Sequence, residues 1–251
     1  MVSVSVIQWL LLVTVNVKAH FLTSDYLQQA YLITEENALV KFDSTGKKLY
    51  TYHQNRYGPL RFADATNPMK LVLSYPDYGI VVLLDNTLSE LSVTSLKLLG
   101  ILNYSAVCFS SLDNNIWVFD SDTYQFKKFD RNGNIVLAST DMLLQLGETI
   151  SPVYMQEENQ LLFVSDTSRG ILIFDSYGAY YETLPFKGVK SFQVKGDRIF
   201  FRQGNYLHSY QLKTLEEKDI ELPPLPEARE VRVENKRLYV LAPDDFSIYR
   251  Y

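Results

Sequence analysis

A chain of 251 residues, 47% hydrophobic and 21% charged, with 18 Tyr and 14 Phe, is neither disordered nor fibrous and is rich in strand formers. Its net charge of −5 argues against a nucleic-acid binder, which needs a basic stripe to neutralise phosphates. The lone cysteine, Cys108 in the apolar run Ala106-Val107-Cys108-Phe109, excludes an intrachain disulfide and a multi-thiolate zinc site, and reads as a small core residue.

The first element, 2–17, carries two readings. Its apolar run over 6–15, followed by Val17-Lys18-Ala19, resembles a secretory signal, but no Lys or Arg precedes it. It is too short, and too interrupted by Gln8, Thr14 and Asn16, to span a membrane. The segment from Val13 to Lys18 alternates apolar and polar residues, which is a strand period. We take 10–18 as a strand and 1–9 as the start or remnant of a signal segment; a cleaved signal covering the whole stretch is the alternative.

Beyond it one motif recurs. Phe42-Asp43-Ser44-Thr45-Gly46, Phe129-Asp130-Arg131-Asn132-Gly133 and Phe174-Asp175-Ser176-Tyr177-Gly178 each close an apolar strand. Leu84-Asp85-Asn86-Thr87-Leu88 is a degenerate copy, and Tyr210-Gln211 and Tyr249-Arg250 are weaker ones. Positions 43, 85, 130, 175, 211 and 250 are separated by 42, 45, 45, 36 and 39 residues. A period of roughly 40 residues is the size of one four-stranded propeller blade. The Asp side chain is suited to accept from backbone N–H groups two and three residues on, and Gly supplies the positive φ of a tight turn between the third and fourth strands.

The other strands fall around these turns. Unit one is expected at 21–24, 30–34 and 38–43. Unit four is expected at 152–156, 161–165, 171–175 and 180–184, and unit five at 189–194, 198–202, 206–212 and 218–222, separated by Gly and Pro signals. Asp141 is placed to cap a short helix between units three and four. Unit six holds strands at 230–234, 237–241 and 246–251, one short of a blade, and an open edge is a liability in a ring. The segment 10–18 is expected to supply the missing strand. The chain is therefore read as all-β: a six-bladed β-propeller of four-stranded antiparallel blades, one domain over 10–251, closed by an N-terminal strand.

The run from Asn67-Pro68 through Tyr75-Pro76-Asp77 to Leu84-Asp85-Asn86 and Glu90, together with Asn114-Asn115-Ile116-Trp117-Val118-Phe119-Asp120, resembles the hallmark of an uncharacterised family of exported Bacteroidetes six-bladed propellers. The resemblance covers roughly 13–251 and extends loosely to NHL-like and TolB-like repeats. It implies export to the periplasm or cell envelope, against a cytoplasmic alternative, with any export signal upstream of Met1, and it brings no catalytic residues.

Candidate site residues are sparse. His20, His53 and His208 fall in different units with no carboxylate or cysteine at ligand spacing, and read as surface or satisfied core side chains. Asp120 with Asp122, and Asp130 with Asn132 and Asn134, have the look of calcium-loop residues without the distal Glu of such a loop, and read as turn residues. Trp117 reads as sheet-packing core, with a ligand groove as the alternative. Arg229, Arg232, Lys236 and Arg237 interleave with Glu227, Glu230 and Glu234 and read as a solvated strand face, the alternative being an anion patch. No Gly-x-Ser-x-Gly turn presents a nucleophile, and the repeated Trp docking elements of a quinoprotein are missing. No residue is assigned a catalytic, cofactor or metal role. The expected function is a monomeric, non-enzymatic scaffold that binds a protein partner, without nucleic acid or a membrane span; the alternative is a ligand-binding or enzymatic propeller (lyase, hydrolase or sugar binder) using its central channel.

Overall fold

The computed structural model describes residues 3–5, 8–224 and 228–251. Five consecutive antiparallel four-strand meanders occupy 19–53, 62–95, 104–138, 154–184 and 193–221. The sixth sheet joins Glu230–Glu234, Arg237–Leu241 and Asp245–Arg250 to the N-terminal strand Leu10–Asn16. The molecule is thus a six-bladed β-propeller, with the chain's two ends paired in one blade.

That closing strand runs antiparallel to Asp245–Arg250, from Leu10 opposite Arg250 to Asn16 opposite Asp245, with a bulge between Leu11 and Val13. The alternation seen in the sequence is used as expected: Val13, Val15 and Val17 pack on the core between blades six and one, while Thr14 shares a 2.8 Å hydroxyl contact with Ser247. The ladder ends at Asn16, earlier than the expected 18, although the Val17 amide still reaches the Asp244 carbonyl at 3.0 Å. Ser3–Ser5, inside the stretch 1–9 where a signal start is the expectation, lies parallel to Glu217–Glu221 at the outer edge of blade five. Residues 1, 2, 6 and 7 of that stretch lie outside the described residues, as does Glu227.

Each of six hydrophobic clusters fills one interface between neighbouring blades. A strand's successive side chains point to opposite faces, and here both faces are covered. Leu71 and Leu73 face blade one, while Val72 between them faces blade three. This explains why the second and third strands of blade two, Leu71–Tyr75 and Ile80–Leu84, read as nearly unbroken apolar runs. Burying each such side chain contributes about 1.5–3 kcal/mol.

The turns correct one detail of the sequence reading. Asp43 Oδ1 accepts from the Thr45 amide at 2.8 Å and from the Lys47 amide at 3.0 Å, so its second donor lies four residues on rather than three. The residue at the third place, Gly46, points its N–H at the Asp43 carbonyl instead, at 3.0 Å. Asp85, Asp130 and Asp175 repeat the arrangement. Leu88 takes the glycine's place with φ 64°; the left-handed backbone costs roughly 1–2 kcal/mol, offset by burial of its side chain between blades one and two. Asp141 caps the short helix Met142–Leu146, accepting from the Leu143 amide at 2.7 Å. Two inner strands start later than expected, at Tyr154 and Gln193. Val189 and Phe192 are buried between blades four and five without joining the ladder, so their apolar character reports burial rather than pairing.

Candidate functional site

The innermost strands all begin at one end of the central channel, so the residues at their starts converge there. The pairs His20-Phe21, Arg61-Phe62 and Lys190-Ser191 stand at the same phase in three blades and line one cavity of about 390 Å³ together with Tyr154, Arg229 and Glu230. Arg61, Lys190 and Arg229 are exposed on its rim, which makes this mouth cationic on a chain of net charge −5. His20 titrates below its ordinary value, through partial desolvation and the repulsion of Arg61 and Arg229. Aromatic rings form the floor: Phe21 and Phe62 meet edge-to-face at 5.3 Å, Phe62 and Tyr154 at 5.6 Å, and Tyr154 and Phe192 at 4.9 Å.

Side chains stitch the inner strands together around this floor. Asp64 Oδ2 accepts from the Phe109 amide at 2.7 Å, Gln193 Oε1 from the Val233 amide at 2.7 Å, and Glu230 Oε2 from the Leu22 amide at 2.9 Å. Gln156 does both, accepting from the Val194 amide at 3.0 Å and donating to its carbonyl at 2.8 Å. Such side-chain-to-backbone bonds satisfy strand edges that face the channel rather than another strand.

One group in this region is not satisfied. Arg232 is 2% exposed, and its Nη1 donates to Ser191 Oγ at 3.2 Å and to the Val231 carbonyl at 3.1 Å. Its Nη2 lies 2.7 Å from Glu230 Oε1, a contact of opposite charges that misses the hydrogen-bonding direction, and neither Nε nor Nη2 finds an acceptor among the described residues. A buried donor left unmet costs about 1–3 kcal/mol, more when charged.

The opposite mouth is acidic. A cavity of about 250 Å³ is lined there by Asp25, Glu158, Lys195 and Glu234 among others. Burial raises all three carboxyl pKa values. Each carboxylate is engaged: Asp25 with the Tyr31 hydroxyl at 2.8 Å, Glu158 with the Gly196 amide at 3.2 Å, and Glu234 with Ser24 Oγ at 2.8 Å and the Lys195 ammonium. Among the described residues no three His, Cys, Asp or Glu side chains group as a metal site.

The sequence candidates distribute as follows. His53 is exposed on the outer strand of blade one. His208 is buried, one of the two placements expected, and its Nδ1 lies 2.6 Å from Asp219 Oδ1; the two stand opposite each other in adjacent strands, a register that spacing along the chain does not reveal. Asp120 and Asp130 hold backbone amides in turns, and Asp122 binds the Asn103 amide side chain at 2.9 Å. Cys108 is buried, which pushes its thiol pKa well up. Trp117 is fully buried, donating from Nε1 to Glu157 Oε2 at 2.6 Å. The expected solvated face over 229–237 divides. Lys236 is exposed, Arg237 ties blade six to Gln28 and to the Ser44 carbonyl of blade one, and Arg232 is buried beside the mouth that Arg229 rims. Arg61 and Lys190 escape a reading by motif; their signal is phase, each lying just before the inner strand of its blade.

No family model matches the chain, and no curated protein does. Solved structures share the architecture. The WD40 domain of Neurospora crassa Pan2 superimposes with TM-score 0.69 at 11% identity, covering 96% of this chain and 95% of that one. A catalytically inactive virginiamycin B lyase from Staphylococcus aureus with quinupristin gives 0.64 at 8% identity, covering 97% and 100%. BamB from Moraxella catarrhalis gives 0.51 at 10%, covering 98% of each. At these identities the likeness establishes the fold class alone.

Proposed function

We propose that the protein is a non-catalytic binding module that receives an acidic protein segment at the cationic mouth of its channel. The carrying observation is the convergence of Arg61, Lys190 and Arg229, from three different blades, on one rim of a chain whose net charge is −5. A focused positive potential in a concave site steers anionic partners and orients them. Placement in the cell envelope, and kinship with the exported Bacteroidetes propellers, belong to the same proposal and draw support from the motif between Asn67 and Glu90. The described residues include no helix long and apolar enough to cross a membrane. A second reading, a ligand-binding or enzymatic channel, is favoured by the cavity itself: about 390 Å³ with Phe21, Phe62 and Tyr104 in its lining is the size and character of a small-molecule pocket.

Cross-linked affinity capture from native envelope and soluble fractions tests the proposal, with the wild type run beside an Arg61→Glu/Lys190→Glu/Arg229→Glu variant. The expected result is an envelope partner that the wild type retains and the charge-reversed variant loses. A partner captured equally by both overturns the mouth as the binding surface. Recovery of the wild type alone, in the soluble fraction, overturns both the scaffold and its compartment.

A further inference from the structure

We propose that Arg232 forms the base of an anion-binding site that takes a carboxylate or phosphate group past Lys190 and Arg229, between blades five and six. The inference rests on the reading of this mouth as a binding surface and names the chemistry that it recognises.

The two unmet donors of Arg232 are Nε and Nη2. They lie on the same edge of the guanidinium, the edge that grips a carboxylate or phosphate through two parallel N–H···O bonds. The guanidinium is held in place from its other side by Ser191 Oγ and the Val231 carbonyl, and its carbon stands 5.8 Å from the Tyr154 ring centroid. A side chain pinned on one edge, and on the other short of hydrogen bonds with Glu230 supplying a charge contact alone, is preorganised for a ligand.

Glu230, the nearest carboxylate, meets that edge only in part: its Oε1 stands 2.7 Å from Nη2 as a charge contact outside the hydrogen-bonding direction while it also accepts from Ser191 Oγ at 3.0 Å, and its Oε2 accepts from the Leu22 amide at 2.9 Å. It cancels one positive charge, and Arg229 and Lys190 remain at the same opening. Arg232 lines a second cavity of about 280 Å³, which shares Lys190, Ser191, Arg229 and Glu230 with the mouth. Phe200, Leu207 and Val231 contribute to its walls, and apolar walls strengthen a charge interaction by lowering the local dielectric.

Isothermal titration calorimetry on the full chain tests the site with two probes, sodium phosphate and sodium succinate, each against sodium chloride at equal ionic strength. Saturable binding of at least one probe, with a low-millimolar or tighter dissociation constant, is expected for the wild type. Binding of succinate alone assigns the site to carboxylates, such as an acidic segment presents, and binding of phosphate alone assigns it to phosphate groups. Arg232→Gln is expected to weaken binding about tenfold or more, and Lys190→Gln or Arg229→Gln about threefold each. Should Arg232→Gln fail to fold by circular dichroism, the two exposed positions carry the test. No saturable heat beyond the chloride control, or binding that every variant retains, overturns the site. If the probes do not bind while charge reversal of the rim still abolishes partner capture, the site fails and the binding-module reading stands. If the probes bind and no partner is captured, the site stands and the protein-binding reading fails.

Discussion

Two buried charged centres of this ring each include one residue of an inner strand, Glu157 in one and Arg232 in the other, and they are built differently. Between blades three and four, Lys128 is 1% and Glu157 3% exposed. Lys128 Nζ lies 2.9 Å from Asp113 Oδ2 and 3.7 Å from Glu157 Oε2, and stands 4.4 Å from the Trp117 ring centroid. Glu157 accepts from Trp117 Nε1 at 2.6 Å, from Ser110 Oγ at 2.8 Å and from the Leu112 amide at 3.2 Å. Between blades five and six, Arg232 is as deeply buried, but one of its edges has only the 2.7 Å charge contact with Glu230 and no hydrogen bond. Burial of charge therefore does not mark function here. A closed hydrogen-bond network is a strut, whereas a buried ion with unmet donors carries a penalty that a ligand can remove.

The largest expected effect falls on the closed centre. Glu157→Ala leaves the Trp117 and Ser110 donors unmet and takes one counter-charge from buried Lys128. Breaking a buried pair from one side costs about 3–5 kcal/mol, read as a drop in the urea midpoint at unchanged slope. A loss under about 1 kcal/mol sinks the structural role assigned to this network.

The turn aspartates give a smaller, exposed benchmark. Asp43→Ala removes two side-chain-to-amide bonds and is expected to cost about 1 kcal/mol. Partial desolvation pushes the Asp43 carboxyl pKa up, but hydrogen bonds from Thr45 and Lys47 outweigh it and hold the group below its ordinary 3.8. A depressed folded value means that the contribution is present above pH 3.8 and is lost as the pH falls through the lower folded value. Acid unfolding curves of Asp43→Ala are expected to converge on those of the wild type below that range. A gap that persists there refutes the linkage.

What was legible in the sequence follows the same division between local and convergent chemistry. Asp-x-x-Gly turns are short-range devices, so three of them and the degenerate copy at Asp85 showed themselves and set the blade period. The Val13–Lys18 alternation and the strand missing from unit six together located the closing strand. Arg232 was not legible, because Glu230-Val231-Arg232-Val233-Glu234 alternates like any strand with one wet face. In this ring Val231 and Val233 do pack between blades five and six, but the polar side meets neighbouring inner strands: Glu230 bonds blade one, and Arg232 bonds Ser191 of blade five. Only the closure of the ring turns a solvated face into a channel wall. The mouth cations needed phase as well as composition, since Arg61 and Lys190 are ordinary until each is placed just before an inner strand.

The smallest expected effect decides the comparison most sharply. Arg232→Met/Glu230→Gln removes both charges of the open centre while keeping volume and most of the hydrogen bonding. The substituted amide oxygen still accepts from the Leu22 amide, and the amide nitrogen is left to donate to Ser191 Oγ. Replacing a buried ion pair by neutral groups of similar volume is often neutral or stabilising, and here it also deletes two unmet donors. Unfolding free energy is expected within about 1 kcal/mol of the wild type, or above it, together with loss of the calorimetric response to phosphate and succinate. The stability–function trade-off then has an address in the molecule: an edge of Arg232 kept short of hydrogen bonds at a cost to the fold because a ligand uses it. A double variant that loses as much stability as Glu157→Ala makes Arg232 a strut like Lys128, and the contrast between the two centres collapses.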